Sequence, residues 1–256
     1  MASLKGKVIA ITGAGSGIGM ATARECASRG ASIALCDINQ AAANKLAEEI
    51  KAKGVDVIVT RVDVSKSDEV DAWTAQIIEH FGRLDGAANI AGVEGPPGSK
   101  VFANIVDISN EHWDFIMGVN LTGLFYCLRA QLRVMKEGAS ILNVASMAGL
   151  MGRPGIAAYS SSKHGVVGLS RSAAKEVGVR GIRVNTLAPG PVGTPMLDRL
   201  QKDAGTDNAV TNTYKNVPLQ KLGTAEEMAK TICFALSDDA SNTTGATFSV
   251  DGGVAC

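Results

Sequence analysis

The sequence predicts an α/β protein built on one doubly wound, parallel sheet of seven strands. Three observations carry that expectation. Short runs rich in Val, Ile and Ala alternate with longer patterns of helical period along all 256 residues. The runs are apolar on both sides, as strands covered by helices on two faces must be. Glycine is abundant (29 residues) and aromatics are scarce (4%), which suits tight turns and close helix–sheet contact. No linker or shift in composition divides the chain, so residues 1–256 read as one domain.

The elements follow in order. "KVIAIT" (7–12) is a buried strand, and "GIGMATARECASRG" (17–30) a helix closed by glycine. "SIALCD" (32–37) is a second strand, and "QAAANKLAEEIKAKG" (40–54) a second helix stopped by Gly54. "DVIVTRVDV" (56–64) is a third strand, after which Ser65 and Asp68 form a capping signal for a helix through "VDAWTAQIIEHFG". "LDGAANIAG" (84–92) is a fourth strand. Helical patterns follow at 109–118 and 120–136, then a strand at 139–146, a helix at 157–177 and a strand at 182–190. A short helix at 195–203 precedes a helix capped by Thr224 and Glu227, and the last strand spans 246–253. Two stretches break the rhythm, 93–108 and 190–222. Both follow strand C-termini, where doubly wound sheets bind ligands, so both are candidate substrate loops.

Composition excludes several classes of function. The formal net charge is zero, which argues against a nucleic-acid or anionic-membrane partner. The five cysteines (Cys26, Cys36, Cys127, Cys233, Cys256) show neither CxxC spacing nor a histidine at ligand distance, and read as free thiols in a reducing compartment. His80 and His112 are lone, so no metal is inferred. No signal-peptide core or 18-residue apolar stretch occurs, and the protein is expected to be soluble and cytoplasmic.

"TGAGSGIG" (Thr12–Gly19) lies between the first strand and the first helix. Gly13, Gly17 and Gly19 allow a sharp turn and a close approach to a pyrophosphate, and the helix N-terminus supplies free N–H groups and partial positive charge. Asp37 ends the second strand about 20 residues on, where a carboxylate accepts ribose hydroxyls and repels a 2′-phosphate. No basic residue follows it in "DINQ", and Ser16 stands before Gly17 where a basic residue would serve NADP. NAD is favoured over NADP. Asp37 could also open the helix at 40 as its N-cap. Asp63, closing the third strand, either faces adenine or caps a turn. In "NIAG" (Asn89–Gly92) small residues let a cofactor lie against the backbone.

Tyr159 and Lys163 lie four apart in "AAYSSSKHG", on one helical face. Ser146 ends a strand 13 positions earlier, and Asn120 sits inside a helical pattern 39 positions earlier, where asparagine is a poor helix former. Either a buried amide holding a water or a helix boundary accounts for it. With "TGAGSGIG", "NIAG", Asn120, Ser146, "YSSSK" and "PGPVGT" (Pro189–Thr194) in this order, the chain resembles the short-chain dehydrogenase/reductases over essentially its whole length. Ile90 departs from the pattern, which more often has a second asparagine there.

The resemblance implies a Rossmann fold, a homotetramer (or homodimer) and a catalytic set of Asn120, Ser146, Tyr159 and Lys163. Tyr159 would exchange a proton with a substrate alcohol or ketone, Ser146 would place the reacting oxygen, Lys163 would hold the nicotinamide ribose, and Asn120 would hold a water. It also implies a cofactor set of Gly13, Ser16, Gly17, Ile18, Gly19, Asp37, Ile38, Asp63, Val64, Asn89, Ala91, Gly92, Tyr159, Lys163, Pro189, Gly190, Val192 and Thr194. A free tyrosine ionises near pH 10, and lowering that by about three units takes roughly 4 kcal/mol, which Lys163 and a nicotinamide cation are expected to supply. The three serines between Tyr159 and Lys163 read as spacers. His164 reads as structural or as a subunit contact, and Trp113, Met117 and Phe125 as packing residues.

The expected activity is hydride transfer between NAD(H) and a secondary alcohol or its ketone. Met196, Leu197, Leu200, Val210, Tyr214 and Val217 suggest a moderately bulky, hydrophobic or ring substrate, as in specialised biosynthesis, or else pack a lid helix. The alternatives are an NADPH-dependent ketoreductase of the 3-oxoacyl-thioester type and, more remotely, a non-catalytic nucleotide sensor.

Overall fold

The computed structural model describes residues 2–203, 215 and 217–255. Val210, Tyr214 and Cys256, read above as pocket residues and a free thiol, lie outside the described residues. Seven parallel strands form one sheet in the order β3-β2-β1-β4-β5-β6-β7. They are β1 (Val8–Thr12), β2 (Ser32–Asp37), β3 (Val57–Arg61), β4 (Gly86–Asn89), β5 (Ser140–Val144), β6 (Arg183–Pro189) and β7 (Thr247–Val250). The helices are α1 (Gly17–Ser28), α2 (Gln40–Lys51), α3 (Ser67–Phe81), α4 (Asn110–Met117), α5 (Gly123–Val134), α6 (Ala157–Val177), α7 (Pro195–Asp203) and α8 (Ala225–Leu236).

The alternation of side chains along each strand builds two cores. In β1, Val8 and Ala10 face a cluster with Trp73 and Ile77 of α3, Leu124 and Leu128 of α5 and Val166 of α6. Ile9 and Ile11 face the opposite cluster, with Ala23 and Cys26 of α1, Leu46 and Ile50 of α2 and Ile232 of α8. A strand with both faces buried has no polar side to show, hence its continuous apolar sequence. Strand order reverses at β1, so β1 and β4 diverge at their C-terminal ends into the crevice where such sheets hold ligands.

Several boundaries move from the sequence reading, each for a local reason. The third strand stops at Arg61 rather than 64, because Asp63 leaves the ladder: its N–H donates to Glu69 Oε2 (2.8 Å) and its Oδ1 accepts from Ser65 N (2.9 Å) and Oγ (2.7 Å). That consumes Ser65, so α3 begins at Ser67 after an N-cap, Lys66, that makes no side-chain cap bond. The fourth strand stops at Asn89 because the Thr12 hydroxyl accepts from Ile90 N (3.0 Å) and Ala91 N (3.1 Å), drawing the chain off the sheet. Thr224 and Glu227 form the expected capping box. The patterns at 109–118 and 120–136 join into one helical run through a π-helical turn, Gly118–Thr122. Trp113 and Phe125 are exposed rather than packed, since Ile116, Leu124 and Cys127 take the inward face. Cys26, Cys36, Cys127 and Cys233 are buried free thiols. No helix among the described residues is long and apolar enough to cross a membrane.

Candidate active site

The turn after β1 is shaped by contacts that exclude side chains. Gly13 has φ +71°, and a Cβ there would stand 2.9 Å from the Ala91 backbone, so the "NIAG" segment rests directly on the turn. A Cβ on Gly19 would fall 2.0 Å from the Gly13 carbonyl oxygen. Thr194 lies over Gly17, its methyl 3.1 Å from where a Cβ would be. The N-cap of α1, Ser16, makes no side-chain cap bond, and the first turn carries no acidic residue. Open amides and uncompensated dipole make that end a seat for an anion such as a pyrophosphate.

Asp37 stands beside this turn. Its Oδ2 accepts from Gly15 N (2.8 Å) and its Oδ1 from Asn39 N (2.7 Å). It does not cap α2; Asn39 does, accepting from Ala42 N. Two of the carboxylate's roughly four acceptor positions are taken, leaving capacity for ribose hydroxyls. Ile38 is 64% exposed, an apolar surface available to a base. A cation also lies here: Arg61 is the register partner of Asp37, with its guanidinium 3.4 Å from Glu69. Asp63 caps the turn at Ser65. Val64 is buried beneath Gly123, so its side chain faces the core.

The Asn89 side chain points into the core. Its amide donates to Gln131 Oε1 (3.0 Å) and Asn143 Oδ1 (2.9 Å) and accepts from Gln131 Nε2 (2.8 Å), while Asn143 donates to Ser170 Oγ (2.9 Å). This satisfied, buried network leaves only the Asn89 backbone for a ligand.

The π-turn directs Asn120 inward. Its Oδ1 accepts from Val93 N (2.8 Å), and its Nδ2 donates to Val93 O (2.9 Å) and Ser162 Oγ (3.1 Å). Ser162 in turn donates to the Tyr159 carbonyl (2.7 Å), so one of the three supposed spacers is a strut between α6 and Asn120. Lys163, 4% exposed, donates from Nζ to Val144 O (2.9 Å) and lies 5.6 Å from the Tyr159 ring centroid. A Cβ on Gly92 would sit 3.2 Å from that Nζ and 3.3 Å from Asn120 Oδ1, so three elements meet at one point. Ser146 follows β5 and accepts from Ala148 N (3.2 Å).

The electrostatics of the protein alone run opposite to the sequence expectation. Burial pushes the half-buried Tyr159 phenol up to about 12; the Ser146 hydroxyl draws it down, and the Glu94 carboxylate raises it further. Burial lowers the Lys163 ammonium to about 8. Lys163 Nζ donates to the Val144 carbonyl, and with the phenol raised by burial a further cation would favour the phenolate.

A family model described as "Enoyl-(Acyl carrier protein) reductase" matches residues 13–255. The chain is also 46% identical over 252 residues to "Short-chain dehydrogenase/reductase aba4" of Botryotinia fuckeliana, covering 98% of this chain and 97% of that protein. The chain belongs to the short-chain dehydrogenase/reductase family. A 2,5-dichloro-2,5-cyclohexadiene-1,4-diol dehydrogenase of Sphingobium indicum is 39% identical over 257 residues, covering 99% and 98% of the two chains. The crystal structure of levodione reductase superposes with a TM-score of 0.92 at 34% identity, covering 98% of each chain. This short-chain dehydrogenase/reductase is accordingly an oxidoreductase.

Beyond the catalytic set read from sequence, four residues support the site. Gly149 lets the turn after Ser146 press on α6, since a Cβ would lie 2.6 Å from the Lys163 carbonyl oxygen. Ser162 could have been found by its place on the inner face of α6. Glu94 and Arg199 carry no local signal. Glu94 is buried in the segment after β4, where it meets Arg199 of α7 with Nε–Oε1 2.5 Å and Nη2–Oε2 3.2 Å. At the other end of the site, Gly190 fits against Asp251, where a Cβ would be 2.6 Å from its Cα, and Val192 is buried and bridged to Gly223. These contacts hold Pro189–Thr194 over the N-terminus of α1. His164 is exposed, with Nδ1 2.9 Å from the Ser160 carbonyl oxygen.

Proposed function

We propose that this enzyme transfers hydride between NAD(H) and a secondary alcohol or its ketone on a moderately bulky, apolar or ring-shaped substrate. The observation that carries the reading is the convergence of Tyr159, Ser146 and Lys163 at the end of β5, two strands from β1 and the uncapped N-terminus of α1 that follows it. The nicotinamide cofactor, when bound, accepts or supplies the hydride. Tyr159 Oη takes the proton from the substrate hydroxyl in oxidation and returns it in reduction. Ser146 Oγ hydrogen-bonds the reacting oxygen. Lys163 Nζ, which donates to Val144 O, would hold the nicotinamide ribose. Asn120 fixes Val93 and Ser162, and through them the floor of the site.

Gly13, Ser16, Gly17, Ile18 and Gly19 would cradle the pyrophosphate, Asp37 and Ile38 the adenosine, and Ala91, Gly92 and Pro189–Thr194 the nicotinamide half. Asp37 supports NAD, because its carboxylate accepts ribose hydroxyls and repels a 2′-phosphate. Ring chemistry is supported by the relatives named for a cyclohexadiene diol and for levodione, and by the half-buried Met196, Leu197 and Leu200. Exposed Trp113 and Phe125 support a homotetramer or homodimer joined through the α4–α5 face, and we propose that it acts in the cytoplasm. The NADPH-dependent thioester ketoreductase stays as a second reading, because Arg61 stands opposite Asp37 and could turn to a 2′-phosphate.

Steady-state kcat/KM with NAD⁺ and NADP⁺ over a panel of cyclohexanediols and bicyclic secondary alcohols separates these. At least about a tenfold preference for NAD⁺ is expected; a preference for NADP⁺ overturns the cofactor assignment. Tyr159→Phe should lower turnover by about 10²–10⁴-fold, the ordinary contribution of a positioned proton carrier. Unchanged turnover would refute the assigned role of Tyr159.

A further inference from the structure

Arg61 ends β3 as Asp37 ends β2, and the two are register partners across those strands. Neighbouring strands lie about 4.8 Å apart, and register partners share a face of the sheet. Alternation along the strands says which face. Ile33 and Leu35 of β2 and Val57 and Val59 of β3 pack in the cluster of α1 and α2. Asp37 and Arg61 therefore leave the sheet on that side, the side of the glycine turn. Asp37 stays there, bound to Gly15 N and Asn39 N. The Arg61 guanidinium does not. Its Nη1 lies 3.4 Å from Oε2 of Glu69 on α3, the helix whose Val70, Trp73 and Ile77 pack in the opposite cluster. The same Oε2 accepts from Asp63 N (2.8 Å), in the turn that carries the chain from β3 to α3. Among the described residues, Glu69 is the acidic side chain within ion-pair distance of Arg61. A cation rooted beside Asp37 is thus drawn over the end of the sheet and held away from it.

We propose that Glu69 is a positioning residue for cofactor specificity: by holding Arg61 on the α3 side of the sheet, it leaves the Asp37 carboxylate uncountered and the space beside it hostile to a 2′-phosphate. Freed from Glu69, the guanidinium has two partners on its own face. It can pair with Asp37 and cancel the charge that repels a 2′-phosphate, or it can meet the phosphate with its planar fork of donors. Either outcome favours NADP over NAD. Held by Glu69, it does neither. The pair is open to solvent, with side-chain exposures of 54% for Arg61 and 34% for Glu69, and such contacts are individually weak. Glu69 therefore biases the choice of dinucleotide rather than locking it. The inference rests on the reading that the crevice holds an adenine dinucleotide with a ribose at Asp37.

The test is titration calorimetry of the full chain with NAD⁺ and with NADP⁺, without substrate, so that no turnover enters. The quantity read is the ratio of the NADP⁺ Kd to the NAD⁺ Kd, which in the parent should be at least about ten. Glu69→Gln keeps an oxygen for Asp63 N and removes the charge that holds Arg61. It should lower the ratio about two- to fivefold, the reach of one exposed ion pair. Arg61→Gln alone should leave the ratio at or above the parental value, and Glu69→Gln made in that background should no longer lower it. An equal fall without Arg61 would mean that the Glu69 charge acts on the phosphate directly, which overturns the role given to the pair. A parental ratio in Glu69→Gln overturns the proposal outright. Circular dichroism verifies folding. Should Glu69→Gln fail to fold, Glu69→Asp decides alone: an acidic residue still suits the first turn of α3, but one methylene less takes it out of reach of Arg61. Its ratio should fall in the same direction, and a parental value sinks the idea. NAD⁺ binding with an unmoved ratio rejects this inference and leaves the cofactor reading standing, whereas a parent that binds neither dinucleotide rejects both.

Discussion

The cofactor side and the substrate side of this crevice are built by different means. The cofactor side, from β1 through β4, is made of backbone fitted to backbone: Gly13 on Ala91, Gly19 on the Gly13 carbonyl, the Gly15 amide on Asp37. Its partners lie mostly on adjacent strands and the turns after them. The substrate side is made of side chains that reach across the fold, with Arg199 on Glu94 and Asp203 on Val101 and Phe102 spanning 105, 102 and 101 residues. The first kind of contact tolerates no added atom. The second can open without unfolding the sheet. A site that must hold one cofactor and admit and release a substrate benefits from that division.

The sharpest way to break the comparison is at Gly19. An alanine there would put a methyl carbon 2.0 Å from a backbone oxygen that belongs to the turn itself. No side chain can swing aside to relieve the clash, so strain should exceed the usual overpacking cost. A loss of about 3 kcal/mol or more is expected, lowering Tm by about 10 °C, together with loss of NAD⁺ affinity. Thermal denaturation and cofactor titration check both. A variant of parental Tm and affinity would show that the cofactor side is no more rigid than the other.

The same division explains what the sequence made legible. The strands and most helices could be read because period and punctuation are local; α6 and β2 match their expected bounds, and Thr224 with Glu227 forms its box. Tyr159, Lys163, Ser146 and Asn120 were recoverable as an ordered set. What failed were cases in which a side chain outbid the ladder: Thr12 ends β4, and Asp63 with Glu69 ends β3 and displaces Ser65 from capping. The bonding of the Asn89 amide to Gln131 and Asn143 carried no local signal either, because those partners lie 42 and 54 residues away. Glu94 lies in a stretch without periodicity and Arg199 on a short helix 105 residues away, and only the folded chain places them together.

Lys163 sits at the seam and offers a sharper, smaller test through pH. Its ammonium is lowered by burial to about 8, whereas in the unfolded chain it titrates near 10.5. Below pH 8 both states hold the proton and the folded state bears the full cost of burying it. From pH 8 to 10.5 the unfolded chain binds the extra proton, so stability rises with pH and the cost is gone above that range. Tyr159 acts oppositely, but only from about pH 10 to about 12, where the folded state keeps a proton that the unfolded chain loses. Between pH 8 and 10, therefore, the cofactor-free parent should gain about 2 kcal/mol relative to Lys163→Met. Urea unfolding at the two pH values measures the difference, and a flat difference contradicts the assignment.

The smallest effect is expected at Asp203, where the comparison predicts a change in binding without a change in the fold. Asp203→Asn keeps the shape and one acceptor oxygen but removes the charge that strengthens the bonds to Val101 N and Phe102 N. The contact lies between two peripheral segments and supports neither core, so the cost should be about 1 kcal/mol and Tm should fall by no more than about 2–4 °C. Applied to the seating of α7, the same energy raises KM for the best alcohol of the panel about fivefold. KM for NAD⁺ should stay at the parental value, because the glycine turn and Asp37 make no contact with α7's last turn. Steady-state kinetics with each substrate varied in turn separate the two constants. Equal rises in both would mean that the substrate side and the cofactor side move as one body.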